Sequence, residues 1–354
     1  MGMKNWLGSK AKSLVGVDIG SYSVKIASLS KEGSKRFRLE ALGKKLLPED
    51  TVVEGSIISK LPLAECIESL FQENKIRENR IATAISGHSV IVKKVTLPAL
   101  TKDELDESIQ WEAEHYIPFD LAEVNVDYQV IKEVPEAGKL EVILVAAKKE
   151  KISDFTSVIA LAGKQPAIVD VDAFAVQNAY EVNYEPSKET VAALLNIGAT
   201  SMNINIVQGK ECLFTRDIAT GGAQYTEYLQ EELGVPLEEA EKYKTGELDH
   251  PEGKDYICGL IQTVSENLAL EVEKTFDYFK TTTYSEDIEK LYICGGGSKT
   301  EGLRDYLADT FKFPVEYLDP LKKIRIDQDV PVPDPSESYS TEFAVAIGLA
   351  LRTA

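Results

Sequence analysis

Two stretches far apart in this chain share one design. Leu14–Ser30, LVGVDIGSYSVKIASLS, is an apolar strand that meets Asp18, turns at Gly20 and Ser21, and leaves as an alternating strand with Val24, Ile26 and Leu29 expected inward. Val191–Gly209, VAALLNIGATSMNINIVQG, repeats it: an apolar strand reaches Asn196, turns at Gly198 with Thr200 and Ser201, and returns through Met202, Ile204 and Ile206. The duplicated glycine-bend hairpin points to two related halves, each built on a β-hairpin. A Gly/Ser bend also turns backbone N–H groups and hydroxyls toward an anion, and an adjacent Asp can hold Mg²⁺ through water. One such turn could merely reverse the chain; a second copy argues for a shared task.

A third glycine turn follows in IEKLYICGGGSKTEGLRDYL, where an apolar strand runs into Gly295, Gly296 and Gly297 ahead of a helix expected from about Thr300. Its GSKT tail fails the GxxxxGK[ST] spacing of a P-loop. Between the hairpins, Thr101 and Glu104 form a capping box, and Leu105, Ile109, Ala113 and Tyr116 share one helical face that ends at Pro118. The strands SVIVKKVTLP, VNVDYQVI and LEVILVAAKK flank that helix, and a second helix is expected over 153–162, stopped by Gly163. Together they read as a self-contained α+β unit of about 80 residues. Just beyond, AIVDVDAFAVQNAY leads a short strand into Asp172 and a helix, so Asp172 sits where an N-cap would sit. EELGVPLEEAEKYK and LIQTVSENLALEVEKTFDYF read as helices, the second with Val264, Leu268, Val272 and Phe276 at four-residue spacing; VPVPDPSES reads as a surface loop.

The 354 residues suffice for two domains or a few subdomains. A net charge of −19 argues against a nucleic-acid surface, which needs clustered Lys and Arg. No apolar run has membrane-spanning length, and the head MGMKNWLGSKAKS lacks a signal-peptide core, so a cytoplasmic protein is expected. That head, with Trp6 and Leu7, is expected to be a disordered, unmyristoylated tail. Cys66, Cys212, Cys258 and Cys294 form no CxxC pair, and His88, His115 and His250 show neither triad nor metal spacing; all read as structural.

The stretch ATAISGHSVIVKKVTLPALTKDELDESIQWEAEHYIPFDLAEVNVDYQVI resembles the PilM family of type IV pilus assembly proteins, relatives of the cell-division protein FtsA. The two hairpins and the late glycine turn are similar to those of the wider actin, Hsp70 and sugar-kinase superfamily, and the likeness to the PilM family runs from about Ser13 to Leu351. The resemblance implies an α/β, actin-like ATPase fold: two ribonuclease-H-like domains around a nucleotide cleft, with an FtsA/PilM-type inserted subdomain 1C. The implied division is 13–82 and 166–187 for subdomain 1A, 83–165 for 1C, 188–225 and 286–354 for 2A, and 226–285 for 2B. The helix in TEFAVAIGLALR would pack back on 1A through Ala344, Ala346 and Gly348.

Carried over by position, ATP and Mg²⁺ are the implied cofactors. Asp18 would organise Mg²⁺; Gly20, Ser21, Tyr22 and Ser23 would cradle phosphate with Lys25; Asn196, Gly198, Ala199 and Thr200 would form the second clamp. Glu241 and Lys244 would reach the ribose or adenine, and Gly295, Gly296 and Gly297 would flank base and sugar. Asp172 is the candidate to position an attacking water, with Asp170 as the fallback. The second hairpin of the family usually starts with Asp, and Asn196 replaces it here; the amide is neutral and also donates, so nucleotide binding is expected over turnover. The implied role is an ATP-binding scaffold of the pilus inner-membrane platform, peripheral at that membrane through a PilN-like partner. The partner's N-terminal peptide would lie against Val90, Val92, Lys93, Lys94 and Val95, and other pilus motor components and self-association are further implied contacts. An FtsA-like division adaptor, a type II secretion counterpart and a small-molecule kinase are the alternatives. The chain stops after its packing helix, where an FtsA-like adaptor would carry a membrane-binding helix.

Overall fold

The first hairpin forms as its pattern predicts and seeds a sheet. In the computed structural model, which describes residues 14–33, 36–134, 138–283, 287–331 and 340–352, β1 (Val15–Ile19) and β2 (Ser23–Lys31) pair antiparallel with Asp18 opposite Lys25. The N-terminal head and most of VPVPDPSES lie outside the described residues. β3 (Phe37–Leu46) extends the meander, a small ribbon of β4 (Val52–Val53) and β5 (Ser56–Ile57) leads to α1 (Lys60–Glu73), and β6 (Arg80–Ile85) joins β1 in parallel. There follow β7 (Val90–Pro98), α2 (Lys102–Glu114), β8 (Val124–Val134) and β9 (Lys139–Lys148), then α3 (Lys149–Leu161), β10 (Gln165–Val171) and α4 (Asp172–Tyr184).

The second half opens with β11 (Val191–Ile197), β12 (Met202–Gln208) and β13 (Glu211–Ile218). Helices α5 (Ala223–Leu233), α6 (Leu237–Lys244) and α7 (Lys254–Thr283) precede β14 (Lys290–Cys294), α8 (Leu303–Phe311), β15 (Val315–Tyr317), β16 (Arg325–Ile326) and α9 (Ala344–Ala350). One sheet has the order β10-β6-β1-β2-β3-β16 and the other β13-β12-β11-β14-β15. Apart from β16 the two orders are the same topology: an antiparallel meander, then two parallel strands beside its first strand. The duplication legible in the hairpins therefore extends through both halves, which we call the first and second lobes.

The two sheets stack with helices between them. α1 and α3 cover one face of the first sheet, placing Leu63, Ile67, Phe155, Val158 and Ile159 against Val15, Val17, Val24 and Ile26. α4 and α9 fill the space between the sheets, and α5 to α8 cover the far face of the second. Burial on both faces explains why β2 departs from the expected alternation: Val24 and Ile26 meet α1 and α3, while Ala27 and Leu29 turn to the cluster holding Phe343, Ala346 and Ile347. α9 comes so close that a Cβ on Gly348 would lie 1.8 Å from the Ala175 carbonyl oxygen, and one on Gly16 would lie 1.9 Å from that of Ala346. Only glycine admits these two approaches.

The capping box of α2 is formed in full, with Thr101 accepting from the Glu104 N–H and Glu104 accepting from that of Thr101. Leu105, Ile109 and Ala113 bury against the three-stranded sheet β7-β9-β8. Three expectations shift. The helix expected over 153–162 starts at Lys149, directly after β9, and belongs to the core of the first lobe instead of that of the three-stranded sheet. The boundary expected at 82/83 falls inside β6, whose Thr83 pairs with Val17. The helix expected near Thr300 begins at Leu303, because a short 3₁₀ turn over Gly296–Lys299 and Gly302 at φ +74° intervene.

Candidate active site

Both hairpin bends are closed by the same backbone bond, Gly20 N–H to the Ser23 carbonyl at 3.1 Å and Gly198 N–H to that of Ser201 at 2.8 Å. Their tips meet, with Ser21 Oγ 3.0 Å from Thr200 Oγ1. Around this contact lies a cavity of about 550 Å³, within the usual range of small-molecule sites. Asp18, Gly20, Ser21, Tyr22, Ser23 and Lys25 line it from the first lobe, with Asp172. Asn196, Gly198, Ala199, Thr200, Glu241, Lys244, Gly295, Gly296 and Gly297 line it from the second. Residues scattered over most of the sequence thus converge because both sheets point the same ends of their first strands at one cleft.

The glycine turn is shaped by that convergence. Gly295 sits at φ +84°, where a Cβ would strike the Ile197 carbonyl oxygen at 2.4 Å and Asn196 Oδ1 at 2.5 Å. A Cβ on Gly297 would meet Ile197 at 2.5 Å, whereas one on Gly296 would meet nothing within 4 Å. Gly295 and Gly297 are therefore fixed as glycine by packing, whereas a side chain at Gly296 would project into open space.

Charge gathers here against the acidic background of the chain. Lys25 pairs with Asp18 at 3.4 Å. Lys244, 5% exposed, donates to Glu241 at 2.5 Å and to Thr226 at 2.9 Å, and burial pulls its pKa down against the pull of Glu241. Two cationic residues that sequence reading missed complete the set. Lys44 and Lys299 hold the two oxygens of buried Glu342 at 2.6 and 2.5 Å. Burial works to raise the Glu342 carboxyl, but the two lysines outweigh it and hold it below the ordinary carboxylate range. Gly221 and Gly222 were missed as well. The Gly222 N–H bonds the Gly198 carbonyl at 2.8 Å, and a Cβ on Gly221 would lie 2.5 Å from that of Ala199, so this pair seats α5 against the second bend. A Gly-Gly step just before a helix start was the available signal.

The two candidate acids part company. Asp172 opens α4 at the cleft wall; Val171 takes the N-cap position, and the Asp172 side chain makes no capping bond. Its carboxyl is pushed up to about 7, first by burial, then by the charge of Asp18, while a hydrogen bond from Ser86 pulls the other way. Such a group titrates near neutrality, as a general base should. Asp170 is buried behind the wall, bound to Arg352 Nε at 2.6 Å and to the Val171 N–H at 2.8 Å, and does not line the cleft; the fallback role finds no geometry there. Asn196 carries no charge to the cleft, and its Oδ1 lies 3.8 Å from Cys294 Sγ. Lys25 of the first hairpin is matched by Asn203 in the second, since Asp18 pairs across to Lys25 as Asn196 pairs to Asn203.

The strand read as the partner surface splits. Val90 is buried with the first-lobe core, where Val92 also packs, and Val95 is buried under α2. Lys93 and Lys94 remain exposed, with Lys94 paired to Glu141 at 2.8 Å. Among the described residues no helix is long and apolar enough to cross a membrane.

Comparison with solved structures places this arrangement. The chain superposes on a protein of a "PilM-PilN type IV pilus biogenesis complex" with a TM-score of 0.84 at 28% identity, covering 96% of this chain and 98% of that one. It is similar in fold to the ethanolamine utilization protein EutJ from Carboxydothermus hydrogenoformans, with a TM-score of 0.57, 15% identity, and coverage of 98% and 91%. It is also similar to MreB5 of Spiroplasma citri bound to AMPPNP, with a TM-score of 0.51, 13% identity, and coverage of 96% and 95%. The duplicated lobes around a cleft are thus an actin-like ATPase fold. The profile described as "Type IV pilus assembly protein PilM" matches residues 16–354, and the chain belongs to that family.

Proposed function

We propose that this protein is a nucleotide-binding scaffold of the type IV pilus platform at the inner membrane. It takes ATP in the interlobe cleft and a PilN-like partner at the inserted three-stranded sheet. The observation that carries the reading is the convergence of two matched hairpin bends, a glycine turn and Lys25, Lys44, Lys244 and Lys299 on one cavity, in a chain of net charge −19. Backbone N–H groups at Gly/Ser bends and several ammonium groups suit a polyphosphate, and the open space beside Gly296 suits the sugar and base.

Among the described residues no group of three His, Cys, Asp or Glu side chains is placed to hold a metal. Mg²⁺ would accordingly be shared between Asp18, water and the nucleotide, and when bound it would supply charge neutralisation at the phosphates. Asp172 would accept a hydrogen bond, and in its ionised form a proton, from a water at the cleft wall. The neutral Asn196 leaves the second lobe without a matching charge, which favours holding nucleotide over turning it over. The partner reading is supported by the likeness to the PilM-PilN complex and by Lys93, exposed on a strand at a sheet edge, which suits an extended peptide with a carboxylate. The protein would then be cytoplasmic and reach the membrane through that partner.

Calorimetry on the full chain tests both halves: Mg·ATP should bind, and a synthetic N-terminal PilN-like peptide should bind separately. Absence of heat for Mg·ATP would sink the cleft assignment, and absence for the peptide would sink the partner assignment.

A further inference from the structure

The chain crosses into the three-stranded sheet and back beside the first lobe, whose core takes in Val90 and Ala147, and this neck is bonded to the second lobe. The chain leaves β6 through Ser86, Gly87, His88 and Ser89 and returns at Lys148, whose N–H bonds the Ser89 carbonyl at 3.0 Å. Ser86 lines the cleft together with Asp172, whose carboxyl it draws down against the effect of burial. Gly87, at φ +88°, donates its N–H to Asp217 Oδ2 at 2.6 Å, and its carbonyl accepts the Val90 N–H that starts β7. Asp217 belongs to β13, and its other oxygen holds Asn203 Nδ2 at 2.5 Å, the residue that occupies the Lys25 position in the second hairpin. Two successive residues of the neck therefore answer to the acid at the cleft wall and to an acid of the opposite lobe.

We propose that Asp217 is the tether through which occupancy of the cleft sets the position of the three-stranded sheet. The inference rests on the nucleotide reading above. A ligand gripped by both hairpins changes the relation of the lobes, and the Gly87–Asp217 bond must then either break or pull the neck with the second lobe. Asp217 is suited to this because a carboxylate bonded at both oxygens has a fixed direction, and its bond to a backbone N–H is charge-assisted. Asn203 transmits the state of the second hairpin to it directly. Linkage makes the effect reciprocal: a partner that holds the sheet in one position changes nucleotide affinity by the same factor.

The test labels the protein at Cys258, the one exposed cysteine among the described residues, and at a cysteine introduced at exposed Lys132 on β8. Spin-label distances are measured with and without Mg·AMPPNP, and calorimetry follows binding in parallel. The parent is expected to show a nucleotide-dependent shift of the distance distribution. Asp217→Ala is expected to bind Mg·AMPPNP within about threefold of the parent and to lose the shift. Asp217→Asn, which keeps the shape but only one acceptor oxygen, is expected to retain part of it and guards against a folding defect in the alanine variant. A full shift in a folded, nucleotide-binding Asp217→Ala protein overturns the tether alone. No heat in the parent overturns the cleft reading and the tether with it.

Discussion

Ser21 and Thr200, on hairpins from opposite lobes, share a hydrogen bond of 3.0 Å in the lining of the cleft. A phosphate laid between the bends would take the place of this bond, and each hydroxyl would then donate to the anion instead of to its counterpart. The contact thus marks where the two halves would grip a common ligand.

Substitution at Gly296 should separate binding from folding. Gly296→Val projects into open cleft space at an ordinary backbone conformation, so thermal stability is expected to stay within about 0.5 kcal/mol while ATP affinity falls more than about tenfold. Gly295→Val is expected to lower the melting temperature sharply, because φ +84° and the Ile197 carbonyl oppose any side chain. Calorimetry paired with melting curves distinguishes the two, and unchanged ATP affinity for Gly296→Val would displace the nucleotide from this turn.

For Asp172→Asn, binding of Mg·ATP is expected to persist while any hydrolysis slows by about 10²–10⁴, the range for loss of a general base. Phosphate release measured at saturating ATP gives the answer. A parent rate equal to that of buffer would show that the cleft only binds.

The same substitution has a pH signature. The Asp172 carboxyl is raised from 3.8 to about 7, so its protonated form stabilises the fold fully below about 3.8, and that contribution is lost as pH rises through 7. Asp172→Asn should therefore match the parent near pH 4 and exceed it at pH 8. The gain is on the order of 2 kcal/mol once water access to the cleft wall is discounted from 1.36 kcal/mol per unit. Denaturant titrations at the two pH values check the sign.

Because the inserted sheet enters and leaves at Ser89 and Lys148, residues 90–147 can be replaced by a short Gly/Ser linker while β6 and α3 stay in place. The shortened protein is expected to keep Mg·ATP binding within about tenfold and to lose the PilN-like peptide and membrane recruitment. Cell fractionation that still finds a folded shortened protein at the membrane would move the recruiting surface elsewhere.

Gly348→Ala should be among the most damaging single-methyl changes in the chain. Its Cβ would stand 1.8 Å from the Ala175 carbonyl oxygen, so α9 must back away from α4, at a cost of about 2–3 kcal/mol. Chemical denaturation measures it directly.

What could be read in advance were features written within a few residues of one another. The bends at Gly20 and Gly198, the capping box at Thr101 and Glu104, and the stripe of Val264, Leu268, Val272 and Phe276 all depend on short-range periodicity. The cleft residues Lys44, Lys299 and Glu342 carried no such mark, because their ion pairs join three elements remote in sequence. Asp217 and Gly87 were illegible for the same reason. Val90 and Val95 were placed together on one partner-facing strand by the resemblance, yet an odd spacing on a strand sends them to opposite faces and two separate cores. The membership of α3 was misjudged because a helix beside an inserted sheet can pack either way, and only Phe155, Val158 and Ile159 against β1 and α1 decide it.

The placement of α9 bears on how the protein comes into being. β1 leaves the ribosome long before the helix that seals one face of its sheet, with Ala346 against Gly16. Until then Ala27, Leu29 and Leu39 lack their cover, so the first lobe is expected to complete its packing only once α9 has been made. Prematurely terminated chains would carry an open apolar face that chaperones and proteases recognise, and both lobes would become native together, after translation has passed residue 350.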